Sequence, residues 1–185
     1  MCPICNDRGI IIDDNNITKK CVCTVEKELR ILLSELQQYK TDKTFDTSKL
    51  KGTVNVINGS EFGFYSLVKS YLFKKYFTDT IHKSSFVIAT GISIVEDYLS
   101  ETHHHHLYTI PYLFINLTQF YTNKAMGEII HYTVRQRQSQ NLTTLLYTGK
   151  MKPAQIAEAY SIELQEYLST IQTANIDKFT KGVEC

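Results

Sequence analysis

Four of the five cysteines in this 185-residue chain fall within its first 23 positions, spaced Cys2-x2-Cys5 and, fifteen residues on, Cys21-x-Cys23. Two short thiol pairs joined by a loop can supply the four corners of a tetrahedral zinc site. Gly9, with Asn6 and Asp7 before it, suits a knuckle turn whose backbone N–H groups point at sulfur. Between the pairs, Ile10-Ile11-Ile12 followed by Asp13-Asp14-Asn15-Asn16 reads as a hairpin returning to Cys21. Free cysteines have no reason to cluster in this way, and a redox Cys-x-x-Cys usually follows a strand of a larger fold. Four cysteine ligands close the coordination sphere. The metal expected on Cys2, Cys5, Cys21 and Cys23 is therefore structural zinc, not a catalytic ion. Cys185 stands apart from this set.

A hydrophobic content of 43% allows a real core. Lys and Arg number 20 against 19 acidic residues, for a net charge of +1, which argues against a chain that coats nucleic acid by charge alone. No apolar run reaches bilayer-spanning length, and the opening residues lack a secretory pattern. The expected setting is the cytoplasm, with no membrane partner.

Val25, Leu29, Leu32, Leu33 and Leu36 recur at helical spacing, which predicts a helix over residues 25–40 with Thr24 as its N-cap. Residues 1–40 thus form a zinc module plus helix, and the polar stretch 41–52 reads as a linker. From residue 53 to 185, apolar strand candidates (54–57, 86–90, 110–117, 143–147) alternate with helical ones (65–77, 92–101, 123–138, 153–159, 161–171). A last short strand is expected near 176–179. Continuous apolar strands separated by helices predict an α/β fold, a parallel sheet covered on both faces.

The first strand, its glycine-containing turn and the following helix stand where a phosphate-binding P-loop would sit. Against G-x-x-x-x-G-K-[ST], Gly59 and Ser66 match, Gly63 lies one position early, Phe64 replaces the second glycine and Tyr65 replaces the lysine. The lysine supplies positive charge to the β- and γ-phosphates, and the glycine lets backbone N–H groups approach them. Glu61 adds negative charge to the same turn. The bland reading of this segment is a simple strand-to-helix turn. The third strand, Tyr112 to Leu117, has the apolar run of a Walker B strand but carries Asn116 where a magnesium-organising carboxylate belongs. ATP binding and turnover are not expected.

CPICNDRGIII, KKCVC and the charged helix TVEKELRILLSEL resemble the zinc-bearing N-terminus of the DnaC/DnaI-type helicase loaders. The remainder resembles the AAA+ domain of that family in a worn form. Glu128 to Arg137 and Thr143 to Leu146 match its helix and strand after Walker B, while Thr148-Gly149 stands near the sensor asparagine's place. The resemblance implies binding to a replicative helicase, or to its loader, through the N-terminal region. It also implies contact with single-stranded DNA through the AAA+ domain. The expected function is an accessory DNA-replication protein, in a bacterium or a phage-infected cell, that works without ATP hydrolysis. Two alternatives stand beside it: a single-stranded nucleic-acid adaptor with a structural zinc, and a nucleotide-binding switch without hydrolysis.

Arg135 and Arg137, with Lys124, Lys150 and Lys152 nearby, are candidate DNA contacts, against the alternative of a solvated helix face. The aromatic run Tyr65, Tyr71, Phe73, Tyr76 and Phe77 lies at helical spacing and reads as core. His103 to His106 read as a surface loop, since consecutive side chains diverge. No Ser-His-Asp or Cys-His arrangement is supported by the spacing.

Overall fold

The structure, a computed structural model, describes residues 1–14, 16–32, 34, 44–45, 47–50, 52–78, 85–100, 106–118, 122–176 and 180–181. The expected helical residues 35–40, the histidines 103–105, residues 177–179 of the expected last strand and Cys185 lie outside them.

The hairpin forms as expected. Strand β1 (Ile10–Ile12) pairs antiparallel with β2 (Thr18–Lys20), Ile10 opposite Lys20 and Ile12 opposite Thr18. Its turn is closed by the Asp13 carboxylate, which accepts from the Ile17 N–H at 2.9 Å, with Asn16 in the left-handed region at φ 60°. Helix α1 (Val22–Leu32) begins earlier than Thr24. The Cys21 carbonyl already accepts from the Thr24 and Val25 N–H groups, and the Thr24 hydroxyl donates instead to the Gly9 carbonyl. Thr24 is thus not the cap. It ties the helix back to the knuckle.

Within the stretch expected as a linker, β3 (Thr44–Phe45) pairs antiparallel with β9 (Thr180–Lys181), and Thr47–Lys49 form a 3-10 turn. The central sheet contains β4 (Val54–Asn58), β5 (Phe86–Thr90), β6 (Tyr112–Asn116), β7 (Thr143–Gly149) and β8 (Thr173–Asn175). Its order is β5-β6-β7-β4-β8, and every pairing is parallel. Strand β8 falls before the expected 176–179. Ile176, the apolar residue behind that expectation, is buried beyond the strand's end, its Cγ2 beside Gly63.

The strand order explains which helix covers which face. Crossovers are right-handed, so a connection that moves one way along the sheet lands on the opposite face from one that moves the other way. Only the β4-to-β5 connection, carried by α2 (Glu61–Thr78), runs towards the β5 edge. The other connections run back, through α3 (Gly91–Leu99), α4 (His106–Thr109), α5 (Lys124–Ser139), α6 (Pro153–Ala159) and α7 (Ile162–Ser169). Two separate apolar layers result. One joins Val54, Val56, Leu113, Ile115 and Leu146 to Ile94, Ile130, Val134, Ile156 and Leu164. The other joins Ile57, Phe114 and Leu145 to Phe64, Leu67, Val68 and Leu72 of α2, and it includes Val25 of α1. The cysteine module is therefore seated on α2. Lys20 reinforces this seat, since its Nζ lies 3.1 Å from the Tyr76 hydroxyl and 2.8 Å from Glu28 Oε2.

Helix α5 approaches the α6–α7 junction closely because Gly127 has no side chain. A Cβ there would fall 2.7 Å from the Tyr160 carbonyl carbon. At the other end of α5, Asn123 caps the helix by accepting from the Met126 N–H at 2.8 Å.

Candidate functional site

The knuckle brings four sulfurs together. The Sγ atoms of Cys2, Cys5, Cys21 and Cys23 all lie within 4.8 Å of one another. Cys2 and Cys21 are 3.7 Å apart, and Cys5 and Cys23 are 3.5 Å apart. Metal–sulfur bonds of about 2.3 Å in a tetrahedron place neighbouring sulfurs about 3.8 Å apart, so the donor set fits one tetrahedral metal ion. The surrounding backbone is arranged for thiolates. Gly9 N–H donates to Cys5 Sγ at 3.4 Å, and the Cys5 and Ile4 N–H groups pull the Cys2 thiol down to about 7. The four thiols are linked, and their neighbours favour the Cys2 thiolate and disfavour that of Cys23. The Cys5 thiol, then burial, pushes Cys23 up to about 12. Asn6 and Asp7 turn the chain with φ of 47° and 63°, and the Asp7 carboxylate accepts from the Cys2 N–H at 2.7 Å. Gly9 sits at φ 74°, and a Cβ on it would lie 2.7 Å from the Thr24 hydroxyl.

The second candidate region lies at the carboxyl ends of β4 and β6. Helix α2 begins at Glu61, four residues before the expected Tyr65, so only Gly59 and Ser60 separate it from β4. The Ser60 hydroxyl accepts from the Gly63 N–H at 3.1 Å and caps the helix, with Glu61 suitably placed in its first turn. Gly59, at φ 127°, donates its N–H to the Gly149 carbonyl, and its own carbonyl accepts from the Tyr147 hydroxyl at 2.9 Å. Phe64 is fully buried and stacks on Tyr147 at 4.8 Å. Ser66 is buried as well.

Of the residues expected around a degenerate nucleotide site, the structure joins Tyr65 and Asn116 directly. The Asn116 amide donates to Glu61 Oε1 at 3.0 Å and to the Tyr65 hydroxyl at 3.1 Å. Its oxygen accepts from the Thr118 N–H and hydroxyl at 2.9 and 2.7 Å. Glu61 and Tyr65 share a helix face at i, i+4, so the helix itself sets up this contact. The Gly59 carbonyl is held instead by the Tyr147 hydroxyl. Gly63 instead packs towards Ile176.

The arginine pair separates. Arg135 is exposed, whereas Arg137 has no exposed surface and cannot contact DNA in this fold. Its guanidinium donates to the carbonyls of Leu107, Ile110, Pro111 and Thr143 and to the Thr144 hydroxyl. Burial pulls it down to about 10, still well above neutrality, so it stays charged among oxygen acceptors. Arg137 ties the α4–β6 corner to the start of β7.

Sequence reasoning passed over Asn58, whose side-chain oxygen is buried without a hydrogen-bond partner among the described residues. Position 58 ends a strand beside a glycine, a pattern that signals a turn and gives no hint that this oxygen is buried.

No family model matches this sequence, and no curated protein does. Solved structures do. Domain III of the Thermotoga maritima replication initiation protein DnaA aligns with a TM-score of 0.54 at 12% identity, covering 81% of this chain and 61% of that one. AMPPCP-bound DnaA from Aquifex aeolicus aligns at 0.53 and 8%, covering 80% and 44%. A DnaI crystal structure aligns at 0.49 and 15%, covering 82% and 80%. The chain thus spans less than two thirds of the DnaA structures it matches. The parallel sheet in the order β5-β6-β7-β4-β8, with α2 on one face and α3 to α7 on the other, is a fold this chain shares with domain III of DnaA.

Proposed function

We propose that this chain is a divergent DnaC/DnaI-type accessory replication protein that docks on a replicative helicase, or on its loader, through the cysteine module with zinc at its centre. The observation that carries this reading is the apolar surface of that module. Ile4, Ile12 and Ile31 are 63%, 67% and 72% exposed, and Ile10, Ile17 and Val22 are exposed with them. So much aliphatic surface on so small a unit marks a protein-binding face. The likeness in fold to DnaA, a replication initiation protein, supports a replication setting, and the four-sulfur donor set supports zinc. The zinc would supply folding energy to the knuckle and no chemistry.

The protein works by occupancy, without ATP hydrolysis. The early start of α2 supports this. A phosphate cradle needs several non-helical residues whose N–H groups face one point, and here Glu61 to Phe64 are already helical. No described helix is long and apolar enough to cross a membrane, which fits action in a bacterial or phage-infected cytoplasm. A DNA-binding role would rest on Arg135 without Arg137.

Retention of a replicative helicase on the immobilised chain tests the docking role. Retention should be lost with Ile10→Asp plus Ile12→Asp while metal content is unchanged. Equal retention by that variant overturns the docking face. Magnesium-dependent ATP turnover by the purified chain overturns the rest.

A further inference from the structure

The two edges of the central sheet are built differently. At one edge, β8 has only three residues, Thr173–Asn175, with a polar side chain at each end. At the other, β5 runs for five residues, Phe86–Thr90. Its register with β6 is unbroken, from Phe86 opposite Tyr112 to Thr90 opposite Asn116. Among the described residues, no strand pairs with the outer side of β5. Phe86 and Ile88 pack towards the α2 layer, and Val87 and Ala89 towards the opposite one. Every residue of β6 is buried, whereas Phe86, Val87 and Ile88 of β5 are half-buried.

A row of outward backbone N–H and C=O groups on an apolar strand is a template for another strand. Chains normally blunt such an edge with charge, proline, a bulge or brevity. Strand β8 is short and polar. Strand β5, FVIAT, carries no charge, no proline and no bulge. Symmetry says which strand would fit it. Two copies of one strand can pair antiparallel about a two-fold axis, which closes the contact after two chains. With the axis at Ile88, Phe86 stands opposite Thr90 and Val87 opposite Ala89. Each larger side chain then meets a smaller one, and no like charges face each other. Pairing β5 with β8 of another copy would instead be head-to-tail and open-ended, and would engage three residues only.

We infer that β5 is a self-association edge: two copies of this chain pair β5 with β5, antiparallel about Ile88, and join two five-stranded sheets into one. This pairing does not depend on the docking role of the cysteine module.

Light scattering on the full chain, purified with zinc, reads the mass over a concentration series. A dimer is expected. Ile88→Glu or Ile88→Lys alone should weaken it roughly tenfold or more, because like charges then meet on the axis. Mixing the two variants should restore it. Two cysteine variants in a Cys185→Ser background test the register without introducing a charge. Ile88→Cys should crosslink one copy to the other under mild oxidation. Thr90→Cys should not, because its two copies stand about 13 Å apart along the strands. If the charged variants do not fold, the cysteine pair alone decides. A monomer at every concentration up to the solubility limit overturns the inference. So does a dimer that Ile88→Glu leaves intact, folded charged variants that fail to pair when mixed, an open-ended oligomer, or crosslinking at position 90 and not at 88.

Discussion

Among the described side chains of the first 32 residues, the buried apolar ones are Cys5, Cys21 and Val25, whereas the α/β domain encloses β4, β6 and β7 between two apolar layers. The two regions are therefore held by different physics. The module has too little apolar surface inside to fold on burial, so its order must come from whatever joins four sulfurs. The domain has a core that needs no ligand. The same contrast applies to their sites. Four thiolates side by side need a cation between them, while Asn116 is already fully hydrogen-bonded within the chain. One site is incomplete without a guest, and the other has closed on itself.

The sharpest way to break this comparison is to take the metal away. Structural zinc contributes roughly 10–16 kcal/mol in isolated finger peptides, so Cys21→Ser should abolish metal content and remove protection from amide exchange over residues 2–25. The domain's cooperative unfolding transition should persist. If domain and module melt together, the contrast fails, and the contact of Val25 with α2 is stronger than its size implies. Arg137→Met probes the other side. It takes a buried donor from four carbonyls, of which Pro111 keeps the Thr143 N–H, so the domain should lose about 3 kcal/mol in urea unfolding while metal content stays the same. The smallest effect is expected at the closed site. Tyr65→Phe removes one hydrogen bond to Asn116 and should cost about 1 kcal/mol. A cost near zero would mean that Glu61 and Thr118 suffice to hold that amide.

What could be read from the sequence was what is local. Cysteine spacing located the sulfur cluster, and strand-like runs separated by helical periodicity placed β4 to β7 and their helices. The misreadings share a cause, which is that their partners lie far along the chain. Arg137 sits between Gln136 and Gln138, which reads as a wet helix face, and its burial is decided by carbonyls at 107, 110, 111 and 143. The start of α2 at Glu61, before the expected 65, has a local signal in Ser60 followed by Glu61. Val25 was recognised as apolar, yet nothing nearby in sequence identifies α2 as the surface it covers. The last strand, expected near 176–179, lies at Thr173–Asn175, because its partner is the distant β4.

The seat of α1 on α2 has a mechanical consequence. Val25 and Lys20 fix the hairpin's heading relative to the sheet, so the module is a handle and not a tether. Whatever grips the hairpin receives the whole α/β body at one preset angle. It need not then give up rotational freedom to orient that body.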